Sequence, residues 1–426
     1  MRWALLDANP TREDFTLRQV ARALKKQGHE AAAMRVFDGS RLKDPSEVSR
    51  ILQGFAPDRI LWCSITGLAY TEIWMEEPWT NVPKIILWFD DPVMPVDRYG
   101  LGNTMKLTAR TPNFFHGIWD GYWREQARMR WGVRGHAIHL SADEEEYSPE
   151  ARSMVDVRRS TQEVVFIGML HSAKDIVQRI SSLPRGLGAL AATVRMWLRD
   201  FGKSSDEGGA MHGVGAWDLM WKEALRAVQP KERVLCEAEA GRDPLAVWRL
   251  RWALWAMAKN AVRVNILRQA LQVAPLRVFC EQKQLEHASE TEWRALLGEP
   301  GDRLRIVDTS DLKAEELGAL YHHGALHLQA TDPQSVWGGI PYRVFQCAAS
   351  GRALLTDLRP ELESAFAVGG EVLGYRGGAD FIPVLEAALA DPERLQQVGK
   401  AGRERFEREH TWRHRLESIE QWIREG

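Results

Sequence analysis

Short apolar runs alternate with amphipathic segments along most of the 426 residues. The first 150 residues contain six runs with the length and composition of β-strands: WALLD, AAAMRVF, RILWCSI, KIILWF, FFHGIW and HAIHL. The first two are separated by FTLRQVARALKKQG, which predicts an amphipathic helix closed by Gly28. Because such alternation places helices on both faces of a sheet, we expect a mostly parallel α/β sheet.

The pattern stops at a polar stretch, DEEEYSPEARSMVDVRRST, which we interpret as a linker, and then restarts. The later predicted strands are EVVFIGM, LRVFCEQ, RLRIVDT, ALHLQA, ALLTD and EVLGY. A helical, Trp-rich segment at about 173–272, interrupted by SSDEGGAMHGVG, separates the first two of these. We therefore predict a Rossmann-like domain at 1–150, a second at 160–408 that carries this insertion, and a terminal helix at 409–426.

Composition excludes several classes of protein. The formal net charge of −2 and the absence of a Lys/Arg run argue against a nucleic-acid partner. The sequence has no stretch of about 18 uncharged apolar residues and no signal-peptide pattern, so we expect a cytoplasmic protein. The four cysteines are scattered and fit reduced, mostly buried thiols: Cys63, Cys236, Cys280 and Cys347.

The strongest functional signal is GGIPYRVFQCAASG. A helix that begins after the turn at Gly338 and Gly339 directs backbone N–H groups and the positive end of its dipole toward a ligand. Arg343 lies in its first turn, where a guanidinium can donate two parallel hydrogen bonds to phosphate oxygens. The structural alternative is an ion pair between Arg343 and Asp357 or Glu361.

The stretch RVFQCAASGRALLTDLRPELESAF, followed by GGEVLGY, DPERLQQVGKAGRERF and HTWRHR, resembles the C-terminal domain of the CgeB-like (spore-maturation) glycosyltransferases. KIILWFDDP, AIHLSADEEEYSP and EVVFIGMLHSAKD are similar to earlier parts of that family. The resemblance implies the GT-B fold, with two facing Rossmann-like domains and a C-terminal helix that crosses back to the first. It also implies metal-independent transfer of a sugar from a nucleotide-diphosphate donor, held by the second domain, to a glycan, protein or other acceptor.

The resemblance also assigns donor-binding positions. Gln346 stands where related enzymes carry a carboxylate for the donor ribose, Gly338 stands where many carry a glutamate, and Gly351 ends the donor-binding helix. A neutral acceptor contributes about 0.5–1.5 kcal/mol, against about 1.5–3 for a charged one. We therefore expect Gln346→Glu to tighten donor binding. His410 and Arg415 match the family's terminal motif and are interpreted as hinge residues near the donor phosphates.

Two further loops carry candidate residues. Lys174 follows Gly168 in FIGMLHSAKD, where a cation can meet the departing phosphate; the alternative is a solvated lysine at a helix start. Asp90 and Asp91 end the strand KIILWF, and either is a candidate base for the acceptor hydroxyl. Their alternative role is to cap a turn.

Other patterns have simpler explanations. The histidine pairs His410/His414 and His323/His327 have helical spacing but lack a third ligand, so we predict no metal site. GLGALA fits a dinucleotide fingerprint but does not follow a strand, which argues against NAD. Several of the 18 tryptophans form helical stripes that are either core or an aromatic wall for a sugar or lipid acceptor: Trp217, Trp221, Trp248, Trp252 and Trp255.

The sequence thus predicts a glycosyltransferase that binds a nucleotide-sugar donor, and it leaves peripheral membrane association open. Two alternatives remain. One is a non-catalytic GT-B relative that binds a sugar or a protein partner, since both acidic positions are lost. The other is a nucleotide-sugar epimerase built from two Rossmann-like units.

Overall fold

The computed structural model comprises two compact units. Unit 1 contains Met1–Asp143 and Arg408–Gly426, and unit 2 contains Glu144–Glu407. The structure describes residues 1–7, 14–38, 41–150, 162–201, 225–298 and 301–425.

Unit 1 is built on a six-stranded parallel sheet in the order β2-β1-β5-β6-β7-β8. Its strands are β1 (Arg2–Asp7), β2 (Glu30–Arg35), β5 (Arg59–Cys63), β6 (Lys84–Trp88), β7 (Phe114–Ile118) and β8 (Gly135–His136). A short antiparallel pair, β3 (Phe37–Asp38) and β4 (Arg41–Leu42), lies outside this sheet. All five residues of β6 are buried, as expected for a central strand covered on both faces.

The last predicted strand of this unit, HAIHL, is mostly wrong. Only its first residue belongs to β8, and residues 137–140 have no regular structure. The carbonyl of Leu140 accepts a hydrogen bond from Arg415 Nε (3.2 Å), and Ser141 Oγ donates to the carbonyl of His410. The C-terminal segment therefore pairs with backbone that a longer strand would have used.

Helices connect these strands. They are α1 (Phe15–Lys26), α2 (Pro45–Phe55), α3 (Thr71–Trp74), α4 (Val93–Arg98), α5 (Gly102–Thr108) and α6 (Gly121–Trp131). The carboxylate of Asp14 accepts from Leu17 N and caps α1 at its start. Gly28, at φ +78°, follows its end, which confirms the predicted helix and its stop.

Unit 2 has a second six-stranded parallel sheet in the order β11-β10-β9-β12-β13-β14. Its strands are β9 (Val164–Ile167), β10 (Leu276–Cys280), β11 (Leu304–Asp308), β12 (Leu326–Gln329), β13 (Leu354–Asp357) and β14 (Leu373–Tyr375). All six predicted strands of this half are confirmed. Phe166 and Trp293 are central residues of its apolar core.

The structure describes ten helices that begin in unit 2, and the last of them extends by two residues into unit 1. They are α7 (Ala173–Ser181), α8 (Arg185–Phe201), α9 (Pro230–Arg242), α10 (Pro244–Val273), α11 (Glu290–Leu297), the 3-10 helix Ala314–His322, α12 (Tyr342–Ala349), α13 (Pro360–Ala365), α14 (Gly378–Ala390) and α15 (Pro392–Glu409). Helices α7–α10 confirm a helical insertion between β9 and β10. Trp217, Trp221 and SSDEGGAMHGVG lie outside the described residues.

Helix α10 is the longest described, with 30 residues, and it packs on both the sheet and the insertion. GLGALA lies inside α8, so it lacks the strand-to-helix turn of a dinucleotide site. Within the described ranges, no helix has the length and apolarity needed to span a bilayer.

The first half of the predicted linker is packed rather than extended. Tyr147 is completely buried and Glu146 nearly so. An ideal Cβ on Gly318 would lie 1.9 Å from the carbonyl oxygen of Glu146, which shows how closely the two backbones approach. Residues 144–150 therefore belong to the structure of unit 2, and residues 151–161 lie outside the described residues.

The final helix, α16 (Trp412–Glu425), belongs to unit 1. Trp412 Nε1 donates to Gln19 Oε1 (3.0 Å) on α1, and the ring of Trp422 stacks on His136 at 4.9 Å. These contacts confirm that the C-terminal helix returns to the first domain. The apolar ring faces supply the packing, and the indole N–H finds a partner because it is buried.

Helix α15 gives a test of this packing. An ideal Cβ on Gly399 would lie 2.3 Å from the carbonyl oxygen of Gly351 and 3.0 Å from Ala353 N, so only glycine fits. We expect Gly399→Ala to lower the free energy of unfolding by about 1–3 kcal/mol, measured by urea denaturation. Gly188→Ala, in α8 with no atom within 4 Å, is the matched control and should raise stability by about 0.5–1 kcal/mol. Equal effects would contradict this account of the α15 contact.

Candidate functional site

The loop between β12 and α12 is held by a buried ion pair. Asp357 accepts hydrogen bonds from Thr331 N (3.0 Å) and Thr331 Oγ1 (2.6 Å), and it pairs with Arg359 Nε at 2.8 Å. Arg359 Nη1 also donates to Ser335 Oγ (2.9 Å), which in turn donates to the carbonyl of Gly339 (2.6 Å). Charge-assisted bonds of this kind fix the loop that leads into α12.

Gly338 permits a close approach of this loop to α13. Its φ is +149°, and an ideal Cβ would lie 3.0 Å from Glu361 Cγ and 3.2 Å from Glu361 N. A side chain here would need a strained backbone and a shift of α13. The glutamate that the resemblance implies for related enzymes at this position therefore could not be placed here without rearrangement.

Arg343 is half-buried in the first turn of α12. Its Nε is buried without a hydrogen-bond partner, and its guanidinium lies 5.1 Å from the ring of Tyr342. In the part of the chain that the structure describes, Arg343 forms no ion pair, because Asp357 is paired with Arg359 instead. The structural alternative for Arg343 through Asp357 is thus not observed, and its donors are available to an anion.

Two more cations come from α10. Lys259 and Arg263 are one helical turn apart and are 6% and 5% exposed. Lys259 Nζ lies 3.0 Å from Asp332 Oδ2, and Arg263 Nη2 lies 4.0 Å from the same oxygen. Arg263 Nη1 donates to the carbonyl of Met169 in the loop after β9, while its Nε is buried without a partner. We call Lys259, Arg263, Arg343 and Asp332 the anion site.

The anion site holds three cations and one carboxylate. Burial lowers the pKa of Lys259 to about 8, and the nearby charges of Arg263 and Arg343 act in the same direction. Burial likewise lowers the pKa of Arg263 to about 10. Burial raises the pKa of Asp332, but Lys259 and Arg263 outweigh it and hold this pKa well below its usual range. A bound anion would offset the remaining positive charge.

The tryptophan stripe on α10 supports this site. Trp255 Nε1 donates to Asp332 Oδ1 (2.7 Å), and Lys259 Nζ lies 4.4 Å from the Trp255 ring centroid. The ring of His171, in the loop after β9, lies 5.0 Å from Trp255 and 5.1 Å from Trp252. These indoles therefore orient charged groups and the loop after β9. This role differs from both alternatives considered from the sequence, which were an apolar core and an aromatic wall for an acceptor.

The loop after β9 follows the strand as predicted, and Lys174 has the alternative environment that the sequence offered, a solvated position at a helix start. Gly168 N donates to the carbonyl of Phe279 (2.9 Å), and an ideal Cβ on Gly168 would lie 2.7 Å from the Phe166 ring. Lys174 is exposed in the first turn of α7, and no hydrogen bond or ion pair joins it to the anion site among the described residues. The cations near this loop come from α10, where no sequence motif marks them.

Gln346 is engaged inside unit 2. It is 3% exposed, its Oε1 accepts from the Tyr321 hydroxyl (2.6 Å), and its Nε2 donates to the Tyr147 hydroxyl (2.6 Å). An open acceptor for a ribose was expected here, whereas the amide joins α12 to the packed segment that carries Tyr147. The expected gain from Gln346→Glu therefore loses its basis, because the carboxylate would be buried among groups that already satisfy the amide.

The two predicted candidate bases differ. Asp91 is 3% exposed, and its Oδ1 accepts from Val93 N (2.8 Å) and Met94 N (3.2 Å) at the start of α4. This is the capping role that the sequence offered as the alternative. Asp90 is exposed just beyond the carboxyl end of β6.

His410 and Arg415 lie in unit 1, whereas the anion site lies in unit 2. Arg415 Nη2 is 3.3 Å from His410 Nδ1, and burial lowers the pKa of Arg415 to about 10. Both residues hold residues 140–141 against the C-terminal segment. Gly351, at φ +69°, follows the end of α12, where its N–H donates to the carbonyl of Ala348 (3.0 Å). The assignment of His410, Arg415 and Gly351 to the donor site stays a prediction.

The histidine pairs have protein partners. His323 Nδ1 lies 2.8 Å from Arg277 Nη1, His327 Nε2 lies 2.9 Å from the carbonyl of Tyr321, and His414 Nδ1 lies 2.8 Å from Thr411 Oγ1. Among the described residues, no three His, Cys, Asp or Glu side chains form a group that could hold a metal ion.

Comparisons with known proteins agree with this architecture. Residues 263–421 match the family described as "Glycosyl transferase-like". Sucrose-phosphate synthase from Thermosynechococcus elongatus superposes with a TM-score of 0.60 at 11% identity, over 100% of this chain and 98% of that one. The HepE protein of Anabaena, in complex with UDP-glucose, gives 0.53 at 8% identity over 100% of both chains. A glycosyltransferase from Rickettsia africae gives 0.54 at 8% identity, over 100% of this chain and 98% of that one.

The chain therefore has the GT-B fold, as the sequence predicted. No curated protein is detectably similar to it in sequence. Identities near ten per cent establish the fold, and the function must be argued from the site.

The pKa of Lys259 predicts how anion binding depends on pH. Its value of about 8 in the folded protein lies below the ordinary value of about 10.4, so the lysine loses its charge above about pH 8. We expect pyrophosphate affinity, measured by calorimetry, to fall between about pH 8 and 10. Over the same range the ligand-free protein should gain stability, because the buried charge is removed.

Lys259→Arg should extend tight pyrophosphate binding to higher pH, since a guanidinium stays charged. Lys174→Arg is the control and should leave the pH profile unchanged. If the pH profile of pyrophosphate affinity shifts in Lys174→Arg and not in Lys259→Arg, the exposed lysine of α7 binds the anion instead.

Proposed function

We propose that this protein is a glycosyltransferase that moves a sugar from a nucleoside diphosphate donor to a hydroxyl acceptor. The observation that carries the proposal is the anion site, in which Arg343 Nε is buried without a hydrogen-bond partner and positive charge exceeds negative. The family match over residues 263–421 supports it, since that span contains Arg263, Asp332 and Arg343. The motif RVFQCAASGRALLTD favours the CgeB-like group within GT-B transferases.

The charge balance favours a diphosphate. Lys259, Arg263 and Arg343 carry three positive charges, Asp332 offsets one of them, and the carboxylate of Glu281 acts on Arg343 without forming an ion pair with it. A nucleotide-sugar diphosphate brings two negative charges, which would neutralise the remainder. A nucleoside monophosphate donor would leave one buried cation uncompensated, at a cost in free energy.

The same residues have a role in the chemistry. The acceptor oxygen attacks the anomeric carbon as the bond from that carbon to the diphosphate oxygen breaks. The diphosphate departs with the electron pair, and the three cations of the anion site stabilise its developing charge. The acceptor proton passes to a base, for which we propose Asp90, because Asp91 is committed to capping α4.

A second candidate is a non-catalytic protein that binds nucleotide sugars. Gln346 supports it, because the residue at the expected ribose-binding position is neutral and is bonded to Tyr147 and Tyr321. Such a protein would bind the donor but would release no nucleoside diphosphate in the presence of acceptors. An assay of donor hydrolysis or sugar transfer distinguishes the two candidates, because only the enzyme shows either reaction.

Donor binding can be tested through Arg343. Arg343→Ala should weaken UDP binding, measured by calorimetry at neutral pH, by about 10- to 100-fold, since charge-assisted hydrogen bonds contribute about 1.5–3 kcal/mol. UDP is the first nucleotide to try because a structural neighbour was solved with UDP-glucose. Arg376→Ala, an exposed arginine of the same unit, is the matched control and should leave the affinity unchanged. Equal affinities of the two variants for UDP, GDP and dTDP would refute the site.

The base can be tested by a matched pair. Asp90→Asn should lower kcat by about 10²- to 10⁴-fold with donor affinity unchanged, because only proton transfer is lost. Asp91→Asn should lower the melting temperature instead, because the carboxylate caps α4. If Asp90→Asn retains full kcat, another group accepts the proton.

A further inference from the structure

Acidic residues end or follow four strands of the sheet in unit 2: Glu281 after β10, Asp308 in β11, Asp332 after β12 and Asp357 in β13. Three of these carboxylates already have a role. Asp332 belongs to the anion site, and Asp357 holds the loop before α12. Asp308 Oδ1 accepts from Ser310 N (2.9 Å) and Gln282 N (3.2 Å), so it fixes its own loop. The role of Glu281 remains to be explained.

Glu281 begins a loop that is bonded to the loop after β9. At the far end of this loop, Ala288 N donates to the carbonyl of Leu170 (2.8 Å). His287 Nδ1 lies 3.0 Å from the carbonyl oxygen of Glu281, which holds the start of the loop against its end. The position of Glu281 is therefore fixed relative to the loop after β9.

The anion site borders the same loop. Arg263 Nη1 donates to the carbonyl of Met169. Two residues before Met169 and Glu281, Ile167 of β9 lies opposite Phe279 of β10. Because paired strands are about 4.8 Å apart, Glu281 leaves the sheet beside the residue that Arg263 binds.

Glu281 also acts on Arg343, from the other side of the anion site. Burial lowers the pKa of Arg343, but three phenol groups and the carboxylate of Glu281 outweigh burial and raise this pKa. Glu281 is half-buried, and its Oε2 accepts from Gln284 Nε2 (2.9 Å). A carboxylate has about four acceptor positions, so it can accept further hydrogen bonds. A cation and a carboxylate that are close but not paired can hold an anion and a hydroxyl of one ligand.

The strand order of this sheet indicates which hydroxyl. With β9 as the first strand and β10 as the second, the order is 3-2-1-4-5-6, that of a Rossmann fold. In that fold the diphosphate lies at the loop after the first strand, and an acid at the end of the second strand binds the ribose. Gln346, the position expected from the sequence to bind the ribose, is bonded to Tyr147 and Tyr321 instead.

We propose that Glu281 accepts a hydrogen bond from the ribose 2′-hydroxyl of the donor. The protein would thereby select ribonucleoside diphosphates over their 2′-deoxy forms. This inference rests on the proposed function, because it takes the anion site as the place where the diphosphate binds.

Calorimetry of the full chain with UDP, 2′-deoxy-UDP and pyrophosphate tests the assignment, and GDP with 2′-deoxy-GDP covers a purine. Wild-type protein should bind the ribose form about 10- to 100-fold more tightly, the range for a hydrogen bond to a charged acceptor. Glu281→Ala should reduce this preference to about twofold or less. It should bind pyrophosphate at least as tightly as wild type, because a negative charge near Arg343 is removed. A purely structural role of Glu281 would instead weaken the binding of all these ligands alike.

Glu290→Ala is the matched control. It removes an exposed carboxylate of the same unit that pairs with Arg294 Nε at 3.0 Å, and it should keep the full preference for ribose. Equal affinities of wild-type protein for the ribose and deoxyribose forms, or a preference that survives in Glu281→Ala, would overturn the assignment of Glu281 and leave the anion site standing. Failure of wild-type protein to bind pyrophosphate and the nucleotides would overturn the proposed function and this inference with it.

Discussion

The carboxylate of Asp332 is shared by two cations from one helix. It lies 3.0 Å from Lys259 and 4.0 Å from Arg263, and Trp255 donates to its other oxygen at 2.7 Å. Isolated buried cations would be costly, and this carboxylate is what allows α10 to carry two of them beside the loop after β9. Because it offsets one charge only, the cluster is stable in the absence of ligand yet remains attractive to a multivalent anion.

A second buried pair places the third cation. Asp357 and Arg359 hold Thr331 and Ser335, so the loop before α12 has little freedom. Arg343 follows within the first turn of that helix, so the loop fixes the position of its backbone. Because this loop is already ordered, less conformational entropy is lost when a ligand binds. The two ion pairs thus have different roles. Asp332 stabilises the buried cations of α10, and the Asp357–Arg359 pair positions the loop that leads to Arg343.

The strand pattern was predictable because buried parallel strands must be apolar and short. Eleven of the twelve predicted strands match, and HAIHL fails because carbonyl groups beyond β8 pair with the C-terminal segment. Arg343 was also predictable, since its position in a helix after a glycine turn is a local property. Lys259 and Arg263 were missed because nothing in a 30-residue Trp-rich helix distinguishes cations at a site from cations in solvent.

The sequence by itself determined the two parallel sheets, the helical insertion, the terminal helix and the position of Arg343, because periodicity and turn chemistry are local. Tertiary structure alone decided which polar residues already have hydrogen-bond partners within the protein. It buried Gln346 between Tyr147 and Tyr321, gave Asp91 to a helix cap, and left Lys174 in solvent. Hydrogen-bond partners distant in sequence are set by how elements pack, and no local pattern records them.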